Sequence, residues 1–267
     1  MSKDARWSTL LEMLAQHGRL GVEDAAAALD VSSATIRRDL DELHEQQLLT
    51  RTRGGAVAHG VSYELPLRYK KSRQAAEKER IGRAVAELVA PGEVVGLTGG
   101  TTITEVARAL SVRPDIVGDA DAGGKGRPPA LTVVTNALNI AHELTIRPQI
   151  KIVVTGGVAR SQSYELTGHL ASGVLAEIAM DVAVLGVNAL TVESGAYVHH
   201  EGEANINRLL AERAQRTIVA ADSSKIGKRA FVRVCALDQV DVLVTDDALP
   251  EAAAAGFRDA GVTVVTV

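Results

Sequence analysis

Two kinds of chemistry are written into the chain as residue spacing, and the first is cationic. The stretch SATIRRDLDEL (residues 33–43) sets Arg37 and Arg38 side by side near the start of a helical pattern, with Ser33 and Thr35 just before them. Arg51 and Arg53 lie beside a Gly54-Gly55 turn. A helix that enters a major groove needs polar residues at its N-terminal end and an apolar face behind them. Ile36, Leu40 and Leu43 supply that face. Arginine serves both guanine edges and phosphates, so Ser33, Thr35, Arg37, Arg38, Arg51 and Arg53 are candidate contacts to duplex DNA. The same letters permit a blander arrangement, a solvated face with Arg37–Asp41 and Arg38–Glu42 paired at i,i+4. Net charge does not choose between them. Residues 1–57 hold seven basic and nine acidic residues, a formal −2, yet four of the seven basic ones fall on this helix and turn.

The second chemistry is anion recognition. Val-rich runs alternate with Ala/Leu-rich ones beyond residue 81, and ligands of parallel α/β sheets bind outside the carboxyl ends of the strands. VVGL is followed by Thr98-Gly99-Gly100-Thr101-Thr102, LTVVT by Asn136, KIVVT by Gly156-Gly157, VAVLGV by Asn188, and TIVAA by Asp222-Ser223-Ser224-Lys225. Glycines let backbone N–H groups approach an anion, and hydroxyls and a helix N-terminus add donors. The first loop fits neither G-x-G-x-x-G nor the P-loop, so neither a dinucleotide nor ATP is indicated and no cofactor is expected. A purely structural strand-to-helix turn is the alternative, but Lys225 after another strand favours a small phosphorylated ligand. The candidate binding residues are Thr98, Gly99, Gly100, Thr101, Thr102, Asn136, Gly156, Gly157, His200, Glu203 and Lys225. His199 and His200 are adjacent, so their side chains point apart, and no third ligand has metal spacing. A hydrogen bond to a sugar, or a structural role, is expected of them before a metal.

The elements that must position these groups are also legible. Trp7, Leu10, Leu11 and Leu14 recur at helical spacing and Gly18 ends that helix. Glu23 and Asp24 open a short second helix, Asp30-Val31 forms a corner, and Ser32 or Ser33 caps the third helix. Two short strands around Gly54-Gly55 complete the outline of a winged helix-turn-helix over residues 1–57. Residues 58–80 are polar, contain Pro66, and read as a linker running into a helix from about 68 to 90 that could serve a dimer interface. Residues 81–267 alternate β and α, with strand candidates at 94–97, 131–135, 151–155, 182–187, 217–221, 242–245 and 262–267, which predicts a mostly parallel sheet covered by helices on both faces. Residues 112–130, rich in Gly, Pro and Asp, read as an inserted loop.

Composition sets the outer bounds. A chain of 267 residues with 46% apolar and 3% aromatic residues builds its core from Val, Ala, Leu and Ile. A net charge of −4 argues against indiscriminate coating of nucleic acid. The lone cysteine, Cys235, sits in the apolar run FVRVCAL and is expected to be a buried, inert thiol, which fits a reducing cytoplasm. The N-terminal MSKDARWSTLLEML carries charges and lacks a signal-peptide core, and no run approaches the ~18 apolar residues of a membrane span, so a cytoplasmic location without membrane partners is expected.

The segment VSSATIRRDLDELHEQQLLTRTRGGAV resembles the N-terminal signature of the DeoR/GlpR family of bacterial sugar-metabolism regulators, with Arg53 where that family usually has His. LTGGTT, VVTNALNIA, VVTGG, YELTG, LGVN, GEANINR and ADSSKIGKRAF are similar to successive motifs of the family's effector domain, which extends the likeness from about residue 6 to 267. The resemblance implies a C-terminal fold like those of ribose-5-phosphate isomerase and the CoA-transferases, and a sensor of phosphorylated sugars. Several departures lie around the implied pocket. Thr98 stands for a usual Asp, Tyr197-Val198-His199-His200 for T-T-P-D, and Asn207-Arg208 for a Lys-Arg pair, and the 112–130 loop is longer than usual. The expected function is a DNA-binding transcriptional regulator, a repressor of a carbohydrate-utilisation operon, acting on double-stranded operator DNA as a homodimer or homotetramer and modulated by a phosphorylated sugar. The alternatives are a sugar-phosphate isomerase-like enzyme with an appended DNA-binding domain, for which Glu203 is the nominated carboxylate, and a purely architectural DNA binder.

Overall fold

The computed structural model describes residues 2–46, 48–57, 67, 74–117 and 129–267. The chain divides into two compact units, Met1–Arg73 and Gln74–Val267. Most of the expected linker (58–66 and 68–73) and residues 118–128 of the expected insertion lie outside the described residues. The helix expected to emerge from the linker is Ala75–Glu87, and all of it belongs to the second unit.

In the first unit, α1 (Lys3–His17) starts where Ser2 Oγ accepts from the Ala5 N–H, and it stops at Gly18, whose φ of 71° is tolerated because the residue has no Cβ. A short strand β1 (Arg19–Gly21) leads into α2 (Val22–Leu29), with Glu23 and Asp24 in its first turn. Asp30 turns the chain at φ 51°, and Ser32 Oγ caps α3 (Ser33–Glu45) by accepting from the Thr35 N–H at 3.1 Å. The wing is β2 (Thr50–Thr52) and β3 (Gly55–Val57). The sheet order is β1-β3-β2, so the wing has a third strand that the pattern did not reveal. Three residues, RLG, carry too little alternation to announce a strand. That third strand explains Gly55, because a Cβ there would sit 1.8 Å from the Leu20 carbonyl oxygen. Trp7, Leu10, Leu11 and Leu14 pack against Ile36, Leu40 and Leu43, all of them buried.

One charge lies inside this small core. Asp39, on α3, is 2% exposed. Its carboxylate accepts from Arg6 Nε at 2.5 Å and Nη2 at 3.0 Å, and from Trp7 Nε1 at 2.9 Å. Three donors from one turn of α1 therefore meet the one buried acid of α3.

In the second unit, seven strands among the described residues form a wholly parallel sheet, with the candidate at 182–187 beginning two residues earlier, at Met180, and the one at 217–221 three earlier, at Ala214. They are β4 (Val94–Leu97), β5 (Leu131–Thr135), β6 (Ile150–Val154), β9 (Met180–Gly186), β12 (Ala214–Ala220), β14 (Val242–Thr245) and β15 (Thr263–Thr266), with the intervening strands defined below, and the spatial order is β15-β14-β12-β9-β4-β5-β6. Neighbouring residues of one strand enter opposite cores. Val182 and Val184 join one apolar cluster and Ala183 and Leu185 the other, as strands buried on both faces require. The helices α4 (Ala75–Glu87), α5 (Thr101–Val112) and α7 (Leu138–Thr145) cover one face, with the single turn α6 (Pro114–Val117) after α5. The helices α8 (His169–Ala176), α9 (Glu201–Glu212) and α10 (Glu251–Asp259) cover the other.

Two antiparallel additions escape the β–α alternation. The hairpin β7 (Val158–Ala159) and β8 (Leu166–Thr167) follows β6. In a second sheet, β10 (Ala189–Thr191) and β11 (Gly195–Val198) follow β9 and are joined by β13 (Val232–Cys235), which follows β12. Cys235 closes β13, is buried, and has its thiol pKa pushed up to about 11 by that burial.

Arg6→Ala strands the Asp39 carboxylate with only the Trp7 donor. Breaking a buried pair costs about 3–5 kcal/mol, and the low end is expected because one donor survives. Trp7 is the only tryptophan, so urea unfolding followed by its fluorescence reads this unit directly; an unchanged midpoint would contradict the assignment. The raised thiol pKa leaves Cys235 neutral at pH 8, so native protein should resist iodoacetamide until urea unfolds it.

Candidate functional site

On the first unit the candidate cations occupy one end of α3 and the wing, but they are not equivalent. Arg37 is exposed and its Nη2 lies 3.3 Å from Glu23 Oε1. Ser33 Oγ donates to the other Glu23 oxygen at 2.7 Å, so this acid of α2 gathers both. Thr35 Oγ1 lies 2.9 Å from Ser32 Oγ within the helix cap. Arg38 and Arg53 are exposed and make no hydrogen bond or ion pair among the described residues. Arg51 is half-buried, with Nε 2.6 Å from Asp41 Oδ1 and Nη1 donating to the Gly55 carbonyl.

The alternative i,i+4 pairs, Arg37–Asp41 and Arg38–Glu42, are not formed. Asp41 is taken by Arg51 and Glu42 by Lys3 at 2.5 Å, because acids that neighbouring elements can reach are drawn into bonds between elements. Arg51 thus ties the wing to α3 instead of standing free. Arg37 and Glu23 are 58% and 75% exposed, and an ion pair in that setting contributes ~0–1 kcal/mol, little resistance to exchange for a phosphate.

On the second unit the candidate residues share one edge of the sheet. The strand order reverses between β4 and β9, with β5 and β6 running one way and β12, β14 and β15 the other. Loops splay apart at such a reversal and leave a crevice. The loop Thr98–Thr102 and the end of β9 meet there. Thr98 is fully buried and its Oγ1 accepts from the Gly186 N–H at 2.9 Å. Its hydroxyl is spent on stitching the two loops together. Gly100 (φ 107°) begins α5, and Thr104 Oγ1 donates to its carbonyl at 2.9 Å.

Asn136, at the end of β5, is fully buried. Its Nδ2 donates to Glu165 Oε2 at 3.0 Å and to the Leu166 carbonyl at 3.3 Å. Glu165 is 5% exposed and lies against Gly99, where a Cβ would come within 2.4 Å of Oε1. Tyr164, just before it, holds φ 62°. Gly157 (φ 119°) has the Thr167 carbonyl 2.7 Å from where a Cβ would be. The β7–β8 hairpin thus threads between the loops after β5 and β6 and the start of α9. At α9, His200 Nδ1 accepts from the Gly202 N–H at 3.2 Å as the helix cap. Buried Glu203 accepts from Arg160 Nη1 at 2.9 Å. Its carboxylate is therefore engaged by the hairpin rather than presented as a lone base.

Lys225 stands apart from these. It ends the single turn Ser223–Lys225 after β12, which Asp246 fixes by accepting from the Ser223 N–H at 2.6 Å and Oγ at 2.8 Å. Strands lie about 4.8 Å apart. The ends of β12 and β6 are four strand steps apart, roughly 19 Å, too far for one small sugar phosphate to touch both Lys225 and Gly156. The edge divides into a β4–β5–hairpin cluster and a β12 turn. Glu165 and Arg160 were not picked out by the sequence. The motif YELTG marks the place, but its acid becomes distinctive only once it is seen against Gly99. Among the described residues no group of three His, Cys, Asp or Glu is placed to hold a metal, and no helix is long and apolar enough to cross a membrane.

Residues 6–60 match the family model described as the DeoR-like helix-turn-helix domain, and residues 73–247 match that of the DeoR C terminal sensor domain. The chain is 34% identical over 257 residues to the HTH-type transcriptional regulator GlpR of Haloferax volcanii, covering 96% of this chain and 94% of that one. It is 30% identical over 246 residues to the glycerol-3-phosphate regulon repressor of Escherichia coli strain K12, covering 92% of each. Among solved structures it is similar to ribose 5-phosphate isomerase A of Methanocaldococcus jannaschii, at 18% identity and a TM-score of 0.40 over 58% of this chain and 56% of that one.

Gly99→Ala drives a methyl group into the Glu165 carboxylate, and overpacking of this kind costs about 1–3 kcal/mol. The expected result is a lower urea midpoint by far-ultraviolet circular dichroism. Adding Glu165→Ala should recover part of the loss, and strictly additive effects of the two changes would show that the residues do not meet.

Proposed function

The chain belongs to the DeoR family of DNA-binding transcriptional regulators, and from that membership we propose how this member works: it represses a carbohydrate-utilisation operon, and a phosphorylated sugar changes its affinity for the operator. The observation that carries the DNA half is the placement of Arg37 and Arg38. Both are exposed at the N-terminal end of α3, while Asp39 and Leu40 beside them are buried. A helix fixed from behind presents its cations at a defined height, as groove entry requires. Arg53, exposed at the wing tip, is placed for the phosphates. Ser33 and Thr35 act from the cap, and Arg51 acts by holding the wing.

The sensor half rests on the crevice at the strand reversal. The first N–H groups of α5 after Gly100, with the hydroxyls of Thr101 and Thr102, supply the phosphate site. Asn136, Gly156 and Gly157 shape the sugar side through the hairpin, and His200 and Glu203 anchor it. Lys225 borders the crevice from β12, two strand steps from β4. Family relatives named for the glycerol-3-phosphate regulon support a phosphorylated polyol as the class of effector. The protein works as a homodimer or homotetramer, because one winged unit makes few base contacts and symmetric copies read paired half-sites.

Reversing charge at both positions (Arg37→Glu, Arg38→Glu) tests the DNA half. On a duplex recovered by selection from genomic fragments, affinity should fall at least 100-fold. The slope of log affinity on log salt should drop by about 2, near 0.9 for each phosphate no longer neutralised, while Trp7-detected unfolding stays unchanged. Retention of wild-type affinity and salt slope would refute the assignment. For the sensor half, a thermal-shift screen of sugar phosphates should find a ligand that stabilises by about 2.7 kcal/mol at 100 times its Kd.

A further inference from the structure

Asn136 keeps an unpaired acceptor at the carboxyl end of β5, one strand from the reversal. Its Nδ2 has two acceptors, Glu165 and the Leu166 carbonyl, so the amide cannot be turned round, and Oδ1 has no partner among the described residues although Asn136 is fully buried. Beside it stands the Glu165 carboxylate, which when ionised only accepts. The backbone before it is held in the left-handed region at Tyr164, φ 62°, a conformation that costs energy and persists where surrounding structure enforces it. The Tyr164 carbonyl is held by the Leu138 N–H at 2.9 Å, and the Leu166 N–H donates to the Asn136 carbonyl at 2.7 Å. The hairpin therefore brings the Glu165 carboxylate to the Asn136 amide at the end of β5, against Gly99, the residue before the Gly100 cap of α5.

We propose that Glu165 and Asn136 form an acceptor wall that reads the hydroxyl groups of the effector, while its phosphate is held at the start of α5. The inference rests on the phosphorylated-sugar reading and adds to it the division of labour within the ligand. A phosphate has only acceptors to offer at neutral pH apart from its last proton, and beside Glu165 it would meet like charge. A hydroxyl donates, so the wall selects hydroxylated carbon and turns the anion toward the helix N-terminus. A site built to hydrogen-bond a hydroxyl rejects analogues that lack it, because its own buried polar groups are then left unpaired. Asn136 Oδ1 is sealed from solvent, so the hydroxyl reaches it by parting the loops after β4 and β5 while Glu165 stays bonded to the Asn136 amide.

The test is calorimetric titration of the full chain with matched probes: pentitol and hexitol phosphates, pentyl and hexyl phosphate, and inorganic phosphate. The best hydroxylated phosphate should bind at least 30-fold more tightly than the alkyl phosphate of the same carbon count. Glu165→Gln should shrink that ratio to about threefold or less. Equal binding of hydroxylated and alkyl phosphates by the wild-type protein overturns the acceptor wall and leaves the phosphate reading standing. Absence of binding by every phosphate probe defeats the phosphate reading and this inference with it. An undiminished ratio in Glu165→Gln also overturns the proposal. The wild-type ratio decides the matter if the variant does not fold.

Discussion

A carboxylate removed from water must be met by donors, and the geometry of the DNA-binding unit depends on how Asp39 is met. Its partners, Arg6 and Trp7, come from one turn of α1, so the bond fixes the rotation and height of α3 as well as its distance. Apolar packing of Ile36, Leu40 and Leu43 alone would tolerate some sliding of the helix. A directional cluster of charged and neutral donors does not. The cost is exposure to disruption, because losing one partner leaves a buried charge. The return is that Arg37 and Arg38, the two residues before Asp39, are presented at a fixed place. The charged helix is thus neither simply a DNA reader nor simply a salt-bridged face. Its acids Asp39, Asp41 and Glu42 hold elements together, and Arg38 is left open.

The second unit obeys a constraint of topology. A wholly parallel sheet sends every strand-to-helix loop to one edge, and the reversal of order between β4 and β9 opens a crevice at that edge. The residues that follow the strands had to converge on this edge whatever their identity. What distinguishes them is how each is used. Thr98 closes the reversal by bonding the Gly186 N–H, whereas Gly99 makes room for the Glu165 carboxylate.

Much of this was legible in the sequence, for physical reasons. Helical spacing of Trp7, Leu10, Leu11 and Leu14 and a serine cap at 32 or 33, which the fold gives to Ser32, mark the three-helix unit because local periodicity and capping are short-range properties. The inner parallel strands were visible because both faces are buried, which forces unbroken β-branched runs, and the part-exposed edge strands β6 and β15 keep the same Val-rich runs. Less legible were elements whose reason is long-range. β1 is three residues long and exists by pairing with β3, and the β7–β8 hairpin has two-residue strands. The partners of the charges were the least legible. Arg37 and Arg38 have acids at helical spacing, yet Glu23, Arg51 and Lys3 from other elements decide the pairing. Asp39 reads as one more surface acid until α1 is folded over it, and Glu165 is noticed only beside Gly99.

The protein is then a two-part device, in which a ligand can alter DNA binding only through a difference in its affinity for two states. The most direct test of that coupling is the operator affinity measured with and without a saturating polyol phosphate found by titration. Affinity for the selected duplex should change at least fivefold, and saturating duplex should change the affinity for the polyol phosphate by the same factor. A polyol phosphate that binds tightly and leaves operator affinity unchanged would contradict the coupling.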